Sequence, residues 1–142
     1  MAFEEKRAWA MGVVTVVAYA TYLAIVLRRA GGGELTEVAY AATMLWTIGA
    51  AIVAAIVIHI GLAIASPEDA DRRDQRDREI ERFGAHVGHS FVVMGALAAL
   101  LLALTESAPF WIANVIYLAF ALSAVLESIA RIVAYRRGFQ PW

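Results

Sequence analysis

Four long apolar blocks limit most strongly what this chain can fold into. They cover residues 8–27, 38–65, 85–104 and 110–134. Each block is at least as long as the roughly 20 residues that an α-helix needs to cross the hydrocarbon core of a bilayer. Hydrophobic residues make up 61% of the 142 residues, whereas a soluble domain of this size contains roughly half. The sequence therefore predicts an all-α fold, a polytopic membrane four-helix bundle that forms a single domain.

The basic residues predict how this bundle is oriented. Cytoplasmic loops of membrane proteins carry an excess of Lys and Arg. Ten of the twelve basic residues fall on one side of the predicted topology, and only Arg28 and Arg29 fall on the other. The ten are Lys6, Arg7, Arg72, Arg73, Arg76, Arg78, Arg82, Arg131, Arg136 and Arg137. We therefore expect a multi-pass protein of the inner (plasma) membrane, with both termini and the central linker in the cytoplasm.

Charge and cysteine content exclude several classes of function. The net charge is −1 and there is no cysteine. Disulfides, thiolate metal sites and thiol catalysis are therefore excluded. Without a strongly basic field, a nucleic-acid partner is not expected.

The linker SPEDADRRDQRDREIERFG, residues 66–84, has helical signals of its own. Ser66 suits a helix N-cap and Pro67 the first helical position, and opposite charges recur three or four residues apart. The pattern predicts a short charged cytoplasmic helix over 67–83, with Gly84 and Gly88 bending its junction with the third membrane helix. Such a charge run is typical of a solvated face, and the alternative is a docking surface for a cytoplasmic protein partner.

The second half of the chain resembles a known family. The segment DQRDREIERFG and the later segment FWIANVIYLAFALSAVLESIARIVAYRRGF are similar to a group of small four-helix prokaryotic membrane proteins, defined only as a domain of unknown function. The shared feature is an Asp-x-Arg-Asp-x-x-Ile linker, matched here by Asp74, Arg76, Asp77 and Ile80. The resemblance implies the same four-helix topology and no particular activity.

Four ionisable side chains are predicted to lie in one layer at the cytoplasmic side of the bundle. His59 precedes the end of the second block by six residues, or about 9 Å at 1.5 Å per residue. Glu127 precedes the end of the fourth block by seven residues, and His86 and His89 open the third block. Ionisable residues in membrane helices are costly and are candidates for function.

Three imidazoles and one carboxylate form a donor set that suits a divalent metal ion. Zn²⁺ fits best, and Fe, Mn, Ni or Cu also accept these ligands. Four-helix bundles build metal sites from inward side chains in this way. We therefore expect His59, His86, His89 and Glu127 to be metal ligands, with Arg131 as a partner of Glu127. Four protein ligands are typical of a closed site, which favours a structural or sensory role over an enzyme.

Several alternatives stay open at the sequence level. In one alternative, the layer is a structural polar clamp that includes a Glu127–Arg131 pair. The protein would then bind no metal and would act as an interaction or regulatory protein through its charged linker. A haem-binding protein would use His59 and His89 as axial ligands. A small transporter is disfavoured because no polar residues continue the layer through the bundle. A homodimer is expected because four short helices make a thin bundle.

The other polar residues in the apolar blocks are expected to contribute to helix packing and not to catalysis or metal binding. Thr43 and Asn114 are expected to form hydrogen bonds between helices. The tyrosines are expected to be packing residues or interfacial anchors, namely Tyr19, Tyr22, Tyr40 and Tyr117.

Overall fold

The computed structural model describes residues 3–33, 38–65 and 75–137, and these residues form four α-helices and no strand. Helix α1 is Phe3–Ala30, α2 is Ala41–Ala65, α3 is Gln75–Leu104 and α4 is Pro109–Arg137. All four are long and apolar enough to span a bilayer. The predicted all-α fold with four helices of membrane-spanning length is confirmed.

Helix α1 is longer than its apolar block at both ends. Its first turn contains Glu4 and Glu5, and its last turn contains Arg28 and Arg29. Acidic residues at the start of a helix and basic residues at its end interact favourably with the helix dipole. Helix α4 ends in the same way, with a basic last turn beyond its apolar block. The charged residues that flank these two blocks therefore belong to the helices themselves.

Helix α2 begins at Ala41, three residues after the predicted start. The residues before it are held outside the helix by other contacts. Val38 and Tyr40 pack against a buried cluster of side chains, and the Arg29 guanidinium donates a hydrogen bond of 2.9 Å to the Ala39 carbonyl. These contacts fix the entry to α2.

Helix α3 is continuous across the junction that was predicted to bend. It runs from Gln75 through Gly84 and Gly88 to Leu104 without interruption. Both glycines are buried against α4, where a Cβ on Gly88 would lie 2.9 Å from the Ser123 hydroxyl oxygen. The glycines therefore permit close approach of two helices and do not break one. The part of the predicted linker helix before Gln75 lies outside the described residues.

Three helix–helix interfaces account for most of the packing in the described ranges. Helix α4 packs against α3 and α1, and α1 packs against α2. The helices alternate in direction, and the Glu5 carboxylate accepts a hydrogen bond of 2.8 Å from the Arg136 guanidinium. We call the end that holds this pair the terminal end, and the end with the α1–α2 and α3–α4 connections the loop end. The side between α2 and α3 is the open side.

A cluster of large buried side chains lies near the loop end. Tyr22, Val26, Phe110 and Tyr117 form a buried cluster there. Elsewhere large apolar side chains are exposed along every helix. An apolar surface of this extent is stable in contact with lipid tails and costly in water. The exposed surface is therefore consistent with a protein embedded in a bilayer.

Candidate functional site

A strip of α4 forms the floor of the open side. Ile116 and Phe120 are 38% and 57% exposed, although the α4 residues on either side of this strip are buried. Glu127 follows Phe120 by seven residues, two helical turns, and therefore lies on the same strip. Its side chain is 30% exposed. Glu127 thus sits at the terminal end of the open side.

One wall of the open side is formed by α3. Val92 and Ala96 line a space beside Ile116 and Phe120 of α4. His89 precedes these two α3 residues by three and seven positions, so it lies on the same face of α3. Its side chain is exposed. His89 therefore belongs to the α3 wall.

The other wall is formed by α2. Ile48 and Ile52 line an apolar crevice of about 530 Å³ between α1, α2 and α4. His59 follows Ile52 by seven residues, so it continues the same face of α2 toward the terminal end. Its side chain is exposed. His59 is therefore the polar residue of the α2 wall.

The contacts between helices place His59 at a definite level of the bundle. The Thr47 and Tyr117 hydroxyl oxygens are 3.0 Å apart, which aligns α2 with α4. Both helices run toward the terminal end. His59 lies twelve residues beyond Thr47, about 18 Å along the axis. Twelve residues beyond Tyr117 is Ile129, which is therefore the α4 residue at the level of His59.

The histidines of α3 lie at about the same level along α4. A Cβ on Gly84 would lie 3.2 Å from the Glu127 carbonyl oxygen, and a Cβ on Gly88 would lie 3.1 Å from its carboxylate oxygen Oε2. His86 lies between these glycines in sequence and His89 directly follows them. The contacts thus place the three histidines and Glu127 at about one level, as residue counting predicts.

Glu127 forms an ion pair within α4. Its Oε1 accepts a hydrogen bond from the Arg131 guanidinium, and the two side chains are 30% and 19% exposed. Among the described residues, the Arg131 Nε has no hydrogen-bond partner although it is buried. The predicted pairing of Glu127 with Arg131 is therefore confirmed, and it is compatible both with a metal site and with a metal-free polar clamp. The carboxylate is balanced by a charge on its own helix.

His86 points away from α4. At about 100° per residue, it lies nearly opposite Gly84 and Gly88 on the helical wheel, and it is exposed. Within the described ranges, no group of three or more His, Asp or Glu side chains is close enough to hold a metal ion. The structure thus places His59, His89 and Glu127 around one opening and does not bring them into coordinating distance. The four-ligand metal site stays a prediction.

The charged segment at the start of α3 is docked on α4. Ile80 is fully buried, and the Tyr135 hydroxyl donates a hydrogen bond of 2.6 Å to the Asp77 carboxylate. The Arg76 guanidinium lies 5.8 Å from the centre of the Tyr135 ring. The expectation of a solvated face is therefore correct only in part, for the outward side of this segment. That side exposes Arg78 and Arg82.

No protein family, curated protein or solved structure matches this chain. The resemblance carried by the linker motif stays a prediction. In the structure three residues of that motif, Arg76, Asp77 and Ile80, contact α4 or are buried. The first aspartate of the motif lies outside the described residues.

A hydrogen-bonded cluster at the loop end holds α1, α2 and α4 together. The Tyr22 hydroxyl donates to the Asn114 side-chain oxygen at 2.5 Å, and the Arg29 guanidinium donates to the Thr43 hydroxyl at 2.8 Å. The predicted interhelical hydrogen bonds of Asn114 and Thr43 are confirmed, as is the packing role of Tyr22. Sequence reasoning missed that the Arg29–Thr43 bond anchors one end of α2. The available signal in the sequence was that these polar residues all lie close to the loop end of their helices.

Proposed function

We propose that this chain is an integral membrane protein that binds a divalent metal ion, preferably Zn²⁺, at the terminal end of its open side. Helix geometry supports the proposal, because His59, His89 and Glu127 each continue a strip of residues beside the open side, at neighbouring levels of the bundle. His86 lies one turn before His89 but points away from α4, so the proposed ligands are His59, His89 and Glu127. The proposed role of the metal is structural or sensory.

The chemistry of the side chains supports a metal over an isolated polar cluster. Neutral imidazoles and a carboxylate are ordinary ligands of Zn²⁺. Polar side chains are expensive on helices that face lipid, and coordination of a cation would compensate that cost. In the structure Oε1 of Glu127 is held by Arg131, so Oε2 is the oxygen that we assign to the metal. Arg131 then orients the carboxylate, as outer partners of metal ligands commonly do.

The orientation in the membrane is part of this proposal. The described residues at the terminal end include most of the basic residues of the chain, whereas the loop end has Arg28 and Arg29. By the bias of Lys and Arg toward cytoplasmic loops, the terminal end lies in the cytoplasm of an inner-membrane protein. Reporter fusions at the C-terminus test this directly. Activity of a periplasm-dependent reporter at that position would contradict it.

Elemental analysis tests the metal site. The chain is purified without a His tag or chelator, transferred to lipid nanodiscs, and analysed by mass spectrometry for metal per chain, before and after loading with Zn²⁺. We expect near-stoichiometric metal in the unsubstituted protein and a large loss in His59→Ala, His89→Ala and Glu127→Gln. Ser90→Ala is the matched control. Its hydroxyl is exposed beside His89 and bonds only to the backbone carbonyl of its own helix, that of His86.

The outcomes separate the proposed site from its alternatives. Absence of metal in the unsubstituted protein after loading overturns the proposal, and the exposed face of the charged segment becomes the candidate surface for function. Metal that persists in all three substituted proteins also overturns it. A haem absorbance band that disappears in His59→Ala and His89→Ala would replace the metal by haem.

A further inference from the structure

Within the described residues, the buried side chains of α2 all lie near its loop end. Its buried residues are Thr43 and Thr47, which lie in its first two turns. Thr43 accepts a hydrogen bond from Arg29 of α1, and Thr47 shares one with Tyr117 of α4. No α2 residue beyond Thr47 is buried. Beyond Thr47, α2 has partly buried residues at most, such as Ala51, Ala55 and Ile58. Because local stability follows the density of buried contacts, we expect the terminal half of α2 to be held less firmly than its loop end.

Apolar residues of α2 and α3 on the two sides of the open side lie at the same level along the bundle. Ile52 lies five residues beyond Thr47, at the level of Leu122 of α4. On α3, Gly88 contacts Ser123 and Gly95 packs on Ala119, so Val92 lies at the same level. Ile52 lines the crevice between α1, α2 and α4, Val92 lines the space between α3 and α4, and the two spaces share Ile116 and Phe120 of α4. The apolar part of each wall is thus opposite the apolar part of the other.

The polar parts of the two walls lie at neighbouring levels. His59 of α2 lies at the level of Ile129, and His89 of α3 lies close to this level through the contacts of Gly84 and Gly88 with α4. Each histidine is at the terminal end of its own apolar strip. A rotation of α2 about its loop-end anchor that brings Ile52 to Val92 leaves His59 about 6 Å nearer the terminal end than His89, because His59 is seven residues from Ile52 and His89 is three residues from Val92. A cation held between the two extended imidazole side chains would span this offset.

We propose that the α3 face formed by His89, Val92 and Ala96 is a docking surface for α2 of the same chain, and that α2 docks there when a divalent metal binds His59 and His89. This inference rests on the proposed function. Ala96 leaves room for close approach, as small residues do between membrane helices. Docking displaces lipid from the open side and completes the fourth interface of the bundle. The metal ion is therefore the ligand that brings α2 and α3 together across the open side.

Distance measurements between spin labels test this docking. The chain has no cysteine, so labels attach only at introduced positions. Val53→Cys on α2 and Val93→Cys on α3 place labels at exposed positions next to the facing residues and outside the gap. In nanodiscs containing EDTA we expect a broad, long distance distribution. With Zn²⁺ we expect it to narrow and shorten to that of helices whose axes are about 8–10 Å apart.

Two controls define the change. The pair Leu45→Cys and Leu104→Cys reports the loop end, where we expect the same distance with and without Zn²⁺. Adding His59→Ala to the Val53→Cys and Val93→Cys pair should abolish the shortening. Labelled chains are diluted with an excess of unlabelled chains, so that only distances within one chain contribute.

Each remaining outcome contradicts a specific part of the reasoning. If elemental analysis of the same sample finds Zn²⁺ and the distance does not change, the docking inference is wrong and the metal site stands. If the shortening is present without dilution and lost on dilution, α2 of a second copy occupies the surface, which also overturns the inference. If the sample binds no Zn²⁺, the proposed function itself is wrong.

Discussion

The contact between α3 and α4 at Gly88 makes a quantitative prediction for Gly88→Ala. A Cβ at this position would lie 2.9 Å from the Ser123 hydroxyl oxygen and 3.1 Å from both the Ser123 carbonyl oxygen and Glu127 Oε2. The carbonyl oxygen belongs to a helix backbone and cannot move independently. We therefore expect the substitution to push α3 away from α4 and to weaken their interface.

The expected magnitude comes from two opposing effects. Overpacking in a tight interior costs about 1–3 kcal/mol, whereas replacing a helical glycine by alanine contributes about 1 kcal/mol of helix stability. Gly61→Ala on α2 is the matched control, because a Cβ there meets nothing within 4 Å. The gain in helix stability is common to both substitutions. The difference in unfolding free energy between the two variants should therefore equal the overpacking cost, about 1–3 kcal/mol.

Unfolding by SDS in mixed micelles, followed by circular dichroism, measures this difference. Gly88→Ala should unfold at lower SDS than the unsubstituted protein, and Gly61→Ala at the same or higher SDS. Adding Ser123→Ala to Gly88→Ala should recover part of the loss, because it removes the closest atom and leaves the backbone carbonyl. Equal behaviour of Gly88→Ala and Gly61→Ala would show that the α3–α4 approach is not close at this position.

Three further predictions concern other parts of the bundle. Tyr22→Phe leaves the side-chain oxygen of Asn114 without its partner and should lower the unfolding free energy by about 0.5–1.5 kcal/mol, measured in the same SDS titration; an unchanged midpoint would contradict the bond. Ile80→Ala removes most of a fully buried side chain and should lower the unfolding free energy by about 2–5 kcal/mol. It should also expose the charged segment to trypsin, and unchanged proteolysis would contradict the docking of this segment on α4. Arg131→Gln should destabilise the protein more than the double substitution Glu127→Gln/Arg131→Gln, because the single change leaves a half-buried carboxylate without a countercharge; equal stability of the two would show that the pair contributes nothing.

Helix number and approximate extent follow from the sequence because the bilayer fixes the length of an apolar segment. The course of each helix was less predictable at sites where a residue type can serve two structural purposes. Gly84 and Gly88 have the conformational freedom to bend a helix, and they also have the small size that lets another helix approach. Only the positions of Ser123 and Glu127 on α4 decide between these uses. The sequence of α3 alone contains no information about them.

The level of the polar residues was predictable, whereas the faces on which they lie were not. A constant rise per residue places His59, His89 and Glu127 at one depth in any bundle of alternating helices. Which face of α2 meets a neighbour is different, because beyond Thr47 this helix has no polar side chain between Ile48 and Ile58. Without a polar face, periodicity does not identify the inward side. The open side between α2 and α3 therefore had no signal in the sequence.

The continuity of α3 has a mechanical consequence. Its 30 residues extend about 45 Å at 1.5 Å per residue, beyond the roughly 30 Å of a hydrocarbon core. The first turns therefore project from the bilayer as a stiff lever, with Arg78 and Arg82 on its outward side and α4 fixed along its inner side by Ile80 and Tyr135. Because this segment is packed on α4 through Ile80 and Tyr135, a partner that binds those arginines would act on α3 and α4 together and not on α3 alone.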